Sequence, residues 1–254
     1  MELQHILFTQ GFGTRRQCAG LVQQGLVAVY PPAGDGAASA VPAIDGAAQF
    51  EPHGLRFRVQ GADWTYQEKA YLMLHKPAGT ECSRRPSAWP SVYSLLPAPL
   101  RQRPAAGAVP GVQAVGRLDQ DTTGLLLLSD DGQFIHRLSA PRRHVPKVYH
   151  AGLKHALSAQ QVERLLAGVV LDDDPVPVRA SACALLDADG AQRRLQLTLT
   201  EGRYHQVKRM LAAVGNRVLD LHRTQIGGLV LPAGLAPGQW RWLTAAEVQS
   251  LLGR

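Results

Sequence analysis

Two patterns of apolar positions predict most of the elements of this chain. Leu125 to Leu128 is a continuous apolar run closed by Asp130-Asp131-Gly132, the pattern of a strand buried on both faces in the middle of a sheet. Val207, Met210, Leu211 and Val214 recur at i, i+3, i+4 and i+7, which predicts a helix over 203–214 with one apolar face. Thr14-Arg-Arg-Gln17 has capping-box spacing and should open a helix running to Gly25, with a strand over 26–30 after it. A strand over 71–75 ends in the turn Lys76-Pro-Ala-Gly79. Helices are expected over 89–96, 133–139 and 158–167, and a last one from Thr244. Residues 176–186 and 194–200 alternate like paired antiparallel strands, and 217–222 and 225–231 read as closing strands.

The connecting stretches divide the chain. PPAGDGAASAVPAIDGAAQ at 31–49 is low in complexity and reads as a flexible loop, and 97–111, with four prolines, as a mobile one. Residues 62–68 read as a linker, so a small module over 1–62 precedes a larger domain over 69–254. The mixture of segregated helices and hairpin-like strands gives an α+β fold.

Composition narrows the class. A chain of 254 residues with 45% hydrophobic and 19% charged positions can bury a full core. No apolar run reaches membrane-spanning length, and MELQHILFTQ lacks a signal-peptide layout. Cys18, Cys82 and Cys183 lie far apart without metal-ligand spacing, which suits reduced thiols in a cytoplasmic protein. The net charge of +7 is uneven. Residues 1–65 hold four Arg against five acids (−1), and residues 66–254 hold 23 Lys+Arg against 15 acids (+8). A polyanionic partner would be attracted mainly to the larger part.

The chemistry concentrates before the apolar run. Asp119 and Asp121 stand beside Arg117 in a loop leading into the central strand, where a rigid scaffold can hold a carboxylate for reaction. The plainer reading is that both merely bond the turn backbone. On the 203–214 helix Lys208 falls at the border of the apolar face, where a half-dehydrated ammonium needs a carboxylate or must snorkel to water. Asp119 is the candidate partner, and such a pair would keep the carboxylate ionised. His205 and Arg209 point away from the apolar face. Arg142, Arg143, His144 and Lys147 precede a strand containing Tyr149, and cations beside an aromatic suit nucleic acid.

Taken together, GRLDQDTTG at 116–124, KVY at 147–149, EGRYHQVKRM at 201–210, KPAG at 76–79 and LHRTQIGG at 221–228 resemble the RsuA family of ribosomal RNA pseudouridine synthases. TRRQCAGLVQQGLVAV at 14–29 resembles the core of an S4-type RNA-binding domain, though the long 31–49 segment replaces that family's short turn. DTTGLLLLSDDGQ and EGRYHQVKRMLAAVGN are closest to the branch acting on 16S rRNA; the large-subunit (23S) branch tends to carry Asn-Arg where this chain has Tyr204-His205.

The resemblance implies an S4-like module followed by a catalytic domain on a mixed, largely antiparallel sheet with flanking helices. It implies that Asp119 initiates breakage of the uracil–ribose bond, either by adding to the sugar or by removing a 2′ proton. Tyr149 would pack on the base and later take the C5 proton, Lys208 would pair with Asp119, and Arg117 would fill the gap left by the everted base. Arg142, Arg143, Lys147, His205, Arg209 and Lys76, with Arg15 and Arg16 of the module, are the expected RNA contacts. The implied partner is 16S rRNA or a small-subunit assembly intermediate, met by a monomer with no membrane association. Isomerisation needs no redox step, so neither cofactor nor metal is expected. Leu118 and the 125–128 strand are the expected pocket walls.

Two other readings compete. Asp119-Gln-Asp-Thr-Thr123 matches the D-x-D-x-T signature of haloacid-dehalogenase-like phosphatases, with Asp172-Asp173-Asp174 as further metal ligands. That signature should directly follow an apolar strand, whereas here the apolar run comes after it. A non-catalytic RNA-binding module is the other, and the joint presence of Asp119, Tyr149 and Lys208 argues against it.

Overall fold

The computed structural model of the protein describes residues 1–31, 39–105, 109–172, 174–186 and 193–253. It forms two compact units. The first comprises Met1–Ala70 with Leu96–Gln113 and Ser129–Asp131; the second comprises Tyr71–Leu95, Ala114–Leu128 and Gly132–Arg254.

In the first unit, the Thr14 hydroxyl accepts from Gln17 N and the Gln17 side chain from Thr14 N, so the expected capping box starts the helix Arg15–Gln23. An additional helix, Leu3–Gln10, lies where the sequence offered no cap, and it ends at Gly11. Gly11 has φ +89°, and a β-carbon there would strike the Pro99 carbonyl; glycine meets both demands. An antiparallel sheet runs in the order Val41–Pro42, Val27–Val29, Arg56–Val59, Ala62–Thr65. Leu3, Ile6, Leu7, Cys18, Val22, Phe57 and Val59 form its core.

Three connecting-segment expectations change here. Residues 62–65 are a hairpin strand rather than linker, because Arg58 and Tyr30 anchor Asp63 across the sheet. Of the loop expected at 31–49, residues 32–38 lie outside the described residues, and Val41–Pro42 pairs with the strand Val27–Val29. Residues 98–102 are a helix, Ala98–Gln102, with Leu100 buried, followed by the buried Arg103; residues 106–108 of that stretch lie outside the description.

The second unit is built on one mixed sheet in the order Ala182–Leu185, Arg194–Leu199, Lys147–Leu153, Val218–Ile226, Thr123–Ser129, Tyr71–Lys76, Trp240–Trp242. The Leu125–Leu128 run lies inside the strand Thr123–Ser129, has neighbours on both sides and is wholly buried, as its composition requires. This strand runs parallel to Val218–Ile226, with Thr123 opposite His222 and Gly124 opposite Arg223. Gly124 has φ +106°, and a β-carbon there would strike the Arg223 backbone, so glycine permits the close approach.

The helix Gln206–Ala213 buries Val207, Met210 and Leu211 against Tyr149, Leu195, Leu197, Leu199 and Leu221. At about 2 kcal/mol for each of the three apolar helix side chains, this burial is what fixes the helix on the sheet. The helices Gly132–Ser139 and Ala245–Leu252 cover Leu125, Leu127, Met73 and Ile226. The helix Ala159–Ala167 opens with the expected cap at Ser158.

Three strand and helix expectations are redrawn. Residues 176–186 are two strands: Asp174–Val178 pairs with Val169–Leu171, and only Ala182–Leu185 pairs with Arg194–Leu199. The two expected closing strands are one bulged strand, Val218–Ile226, turning at Gly227 into Leu229–Val230. The short helix expected over 89–96 is a single 3-10 turn, Val92–Leu95. No helix of the described residues is long and apolar enough to cross a membrane.

Candidate active site

Side chains distant in sequence converge on a cavity of about 570 Å³ within the second unit. Its lining includes Arg117, Asp119, Lys147, Tyr149, His205 and Lys208. Asp119 belongs to the loop that enters the central strand. That loop is held from beneath by the Lys76-Pro-Ala-Gly79 turn. The Lys76 ammonium is wholly buried and donates to the carbonyls of Pro77 (3.0 Å), Gln120 (3.2 Å) and Thr122 (2.9 Å), and Gly79 N donates to Gln120 O (2.8 Å). Lys76 therefore cannot contact RNA as the sequence suggested. It is a strut whose charge is satisfied by three backbone carbonyls, and burial pushes its ammonium pKa down.

Lys208 reaches the loop from the helix Gln206–Ala213. Its Nζ lies 3.1 Å from Asp119 Oδ2 and 2.6 Å from Asp121 Oδ1, so the expected partner is present and a second one shares the ammonium. Burial alone would raise the Asp121 carboxyl, but the Lys208 ammonium outweighs it and holds the group low. Burial opposes the Lys208 charge in the same way, and the two carboxylates together raise its pKa.

The helix starts later than expected because residues 203–205 form a turn. His205 has φ +48°, a left-handed conformation that costs a non-glycine residue about 1 kcal/mol. The turn is held by Gln206, whose side chain accepts from Arg203 N (2.7 Å) and donates to Glu201 (3.1 Å). In this conformation His205 Nε2 lies 3.4 Å from Asp119 Oδ1, and its ring stacks on the largely exposed Tyr204 at 3.8 Å. His205 was expected to face away from the buried surface, and it does so toward the carboxylate.

Tyr149 comes from the strand Lys147–Leu153 and is buried, with Leu118, Leu199, Val207 and Leu221 also forming walls. Leu125 to Leu128 are absent from the lining, because that strand lies behind the loop in the core. Lys147 also lines the cavity, donating to Val145 O (3.0 Å). Arg117 is exposed at its edge. Arg142 and Arg143 form an exposed 3-10 turn, Pro141–Arg143, of which Pro141 alone reaches the lining. Arg209 is outside the cavity and donates to Tyr204 O. Arg15 and Arg16 are exposed on the first unit, Arg15 against the Phe8 ring.

Sequence patterning did not mark Arg223. This buried guanidinium lines the cavity, donates to Leu125 O (2.8 Å) and lies 3.5 Å from the Tyr149 hydroxyl. Its place in the LHRTQIGG segment was the available signal. Of the acidic stretch 172–174, residue 173 lies outside the described residues.

A mixed α+β sheet with one loop carboxylate, a cation from a distant helix and a buried tyrosine around a single cavity matches one class of enzyme. Residues 70–213 match the family model described as RNA pseudouridylate synthase. The chain belongs to this family, in its RsuA-type branch, and is an isomerase that acts on RNA. Ribosomal small subunit pseudouridine synthase A of Yersinia pestis is 42% identical over 181 residues, covering 71% of this chain and 72% of the relative. Its Escherichia coli K12 counterpart is 41% identical over 182 residues, covering 72% and 74%. An uncharacterised RNA pseudouridine synthase of Bacillus subtilis is 36% identical over 252 residues, 99% of this chain and 98% of its own. A solved structure titled as a pseudouridylate synthase superposes with a TM-score of 0.64 at 32% identity and covers 99% of both chains.

Proposed function

We propose that the protein converts one uridine of 16S rRNA, free or within a small-subunit assembly intermediate, to pseudouridine. The observation that carries this reading is the Asp119 carboxylate, flanked by Lys208 and His205 in a cavity that also contains Tyr149. The relatives named for the small ribosomal subunit support the choice of RNA.

A uridine in folded RNA is out of reach until it leaves the stack, at a cost of a few kcal/mol offset by stacking and phosphate contacts. Arg117 at the cavity edge fills the gap it leaves. The everted base packs on Tyr149, with Leu118, Val207 and Leu221 excluding water. Asp119 then initiates breakage of the N1–C1′ bond, by adding to the sugar or by removing the 2′ proton. Lys208 and His205 fix the carboxylate against its loop. The detached uracil turns and C5 bonds to C1′ as Asp119 leaves the sugar or returns its proton to C2′; the C5 proton then leaves with Tyr149 as its acceptor while N1 gains one. Lys147, Arg142, Arg143 and Arg209 attract the backbone phosphates, and the S4-like first unit adds Arg15 and Arg16. The enzyme acts as a cytoplasmic monomer.

The test is tritium release from small- and large-subunit rRNA labelled at uridine C5, followed by mapping of the modified position. Release from 16S rRNA alone is expected. Release confined to 23S rRNA would move the substrate to the large subunit, and no release from either would refute the reading.

A further inference from the structure

We infer that Arg223 stabilises the negative charge that uracil acquires when its bond to the ribose breaks. The inference rests on the function proposed above. Arg223 sits on the strand Val218–Ile226, and only 2% of it is exposed. Its Nε donates to Leu125 O, its Nη1 is 3.5 Å from the Tyr149 hydroxyl, and its guanidinium carbon lies 5.9 Å from the Tyr149 ring centre. Among the described residues Nη2 is enclosed and has no acceptor. Among the described residues no carboxylate pairs with it, whereas Lys208 has two.

A buried cation without a counter-ion is destabilising, and a protein that only needed to fill this space would do better with an apolar side chain. Its field acts locally: Lys147, lining the same cavity, is pushed down by burial and then by the Arg223 charge. A second unsatisfied group, the buried Thr122 hydroxyl, belongs to a residue lining the same cavity. The cavity thus has a fixed positive charge beside the ring on which the base packs, with no carboxylate of the described residues at ion-pair distance from it.

The reaction supplies one. When N1–C1′ breaks, the bonding electron pair stays with uracil, and the charge spreads over N1, O2 and O4. The ribose is balanced either by a new bond from C1′ to an Asp119 oxygen or by transfer of its 2′ proton to Asp119. When C5 bonds to C1′, the bond from C1′ to Asp119 breaks or Asp119 returns its proton to C2′, and the charge is neutralised; the C5 proton is then lost as N1 takes one up. Arg223 meets the anion only between these events, so it lowers the barrier without tightening the binding of RNA.

Single-turnover rates and RNA affinities of Arg223→Gln, Arg223→Met and Arg223→Lys on 16S rRNA test this, with folding checked by circular dichroism. Loss of charge in the Gln and Met variants should slow isomerisation by about a hundredfold, as for removal of a charge-stabilising donor, and leave RNA affinity within about threefold. Arg223→Lys, which keeps the cation, should stay within about tenfold of wild type. If the neutral variants misfold, the Lys variant decides alone: an enzyme of unchanged fold slowed by about a hundredfold overturns the inference. It is also overturned if Gln or Met is nearly as fast as wild type, or if the loss lies in affinity. A wild-type enzyme that forms no pseudouridine would instead refute the functional reading.

Discussion

Arg103 and Arg223 are both almost fully withdrawn from water, and the two side chains differ in how far their charge is answered. Arg103, in the first unit, has every direction answered. Its Nε pairs with Asp130 at 2.6 Å, Nη1 donates to Gln10 Oε1, and Nη2 donates to the carbonyls of Gln67 and Glu68. It ties the end of the first helix, the segment after the hairpin and Asp130 into one knot, and its role is complete in the resting molecule. Arg223, in the second unit, has among the described residues one carbonyl, one distant hydroxyl and no carboxylate. A satisfied buried charge marks architecture; an unsatisfied one, in a cavity, marks a place where charge appears during work.

Substitutions at several positions would break or sharpen this contrast. The largest effect is expected from Arg103→Met, which strands Asp130 without its partner in the interior and should destabilise the first unit by about 3–5 kcal/mol in urea unfolding. A loss below about 1 kcal/mol would mean that the knot is dispensable. Next is Lys208→Met, which leaves Asp119 and Asp121 facing each other without their shared ammonium. Isomerisation should fall by about a hundredfold with little change in melting temperature, since the Lys208 side chain is 27% exposed and its removal opens no core. Asp121→Asn should cost only a few-fold, because Lys208 then serves Asp119 alone.

The smallest effect concerns pH. Arg241 holds the Glu247 carboxyl at about 2, well below its ordinary 4.5. The folded value is depressed, so this stabilisation is complete above about pH 4.5 and disappears as the pH falls toward 2. The melting temperature of Glu247→Gln should lie below wild type at about pH 6 and meet it near pH 2; a constant difference would contradict the assignment.

Much of this was legible in the sequence wherever one local rule decided the outcome. The Leu125–Leu128 run, the Thr14 cap and the Val207–Met210–Leu211 face were legible because composition and period alone dictate them. The convergence on the cavity could be read only through the motifs, since nothing local joins Asp119 to Lys208. What escaped were backbone-mediated ties. Lys76 looked like a solvated cation because its partners are carbonyls, which have no sequence identity. Arg103 was hidden in a proline-rich stretch, and its partners are just as scattered. The late start of the Gln206–Ala213 helix depends on His205 accepting a left-handed backbone, which the apolar period of the helix cannot reveal.

The most direct test of the central claim is Asp119→Asn, with pseudouridine formation and RNA affinity measured on the same 16S preparation. Replacing the carboxylate by an amide of the same shape should abolish tritium release and leave RNA affinity within about threefold of wild type. A D119N variant that still modifies the RNA would contradict the central role of this carboxylate.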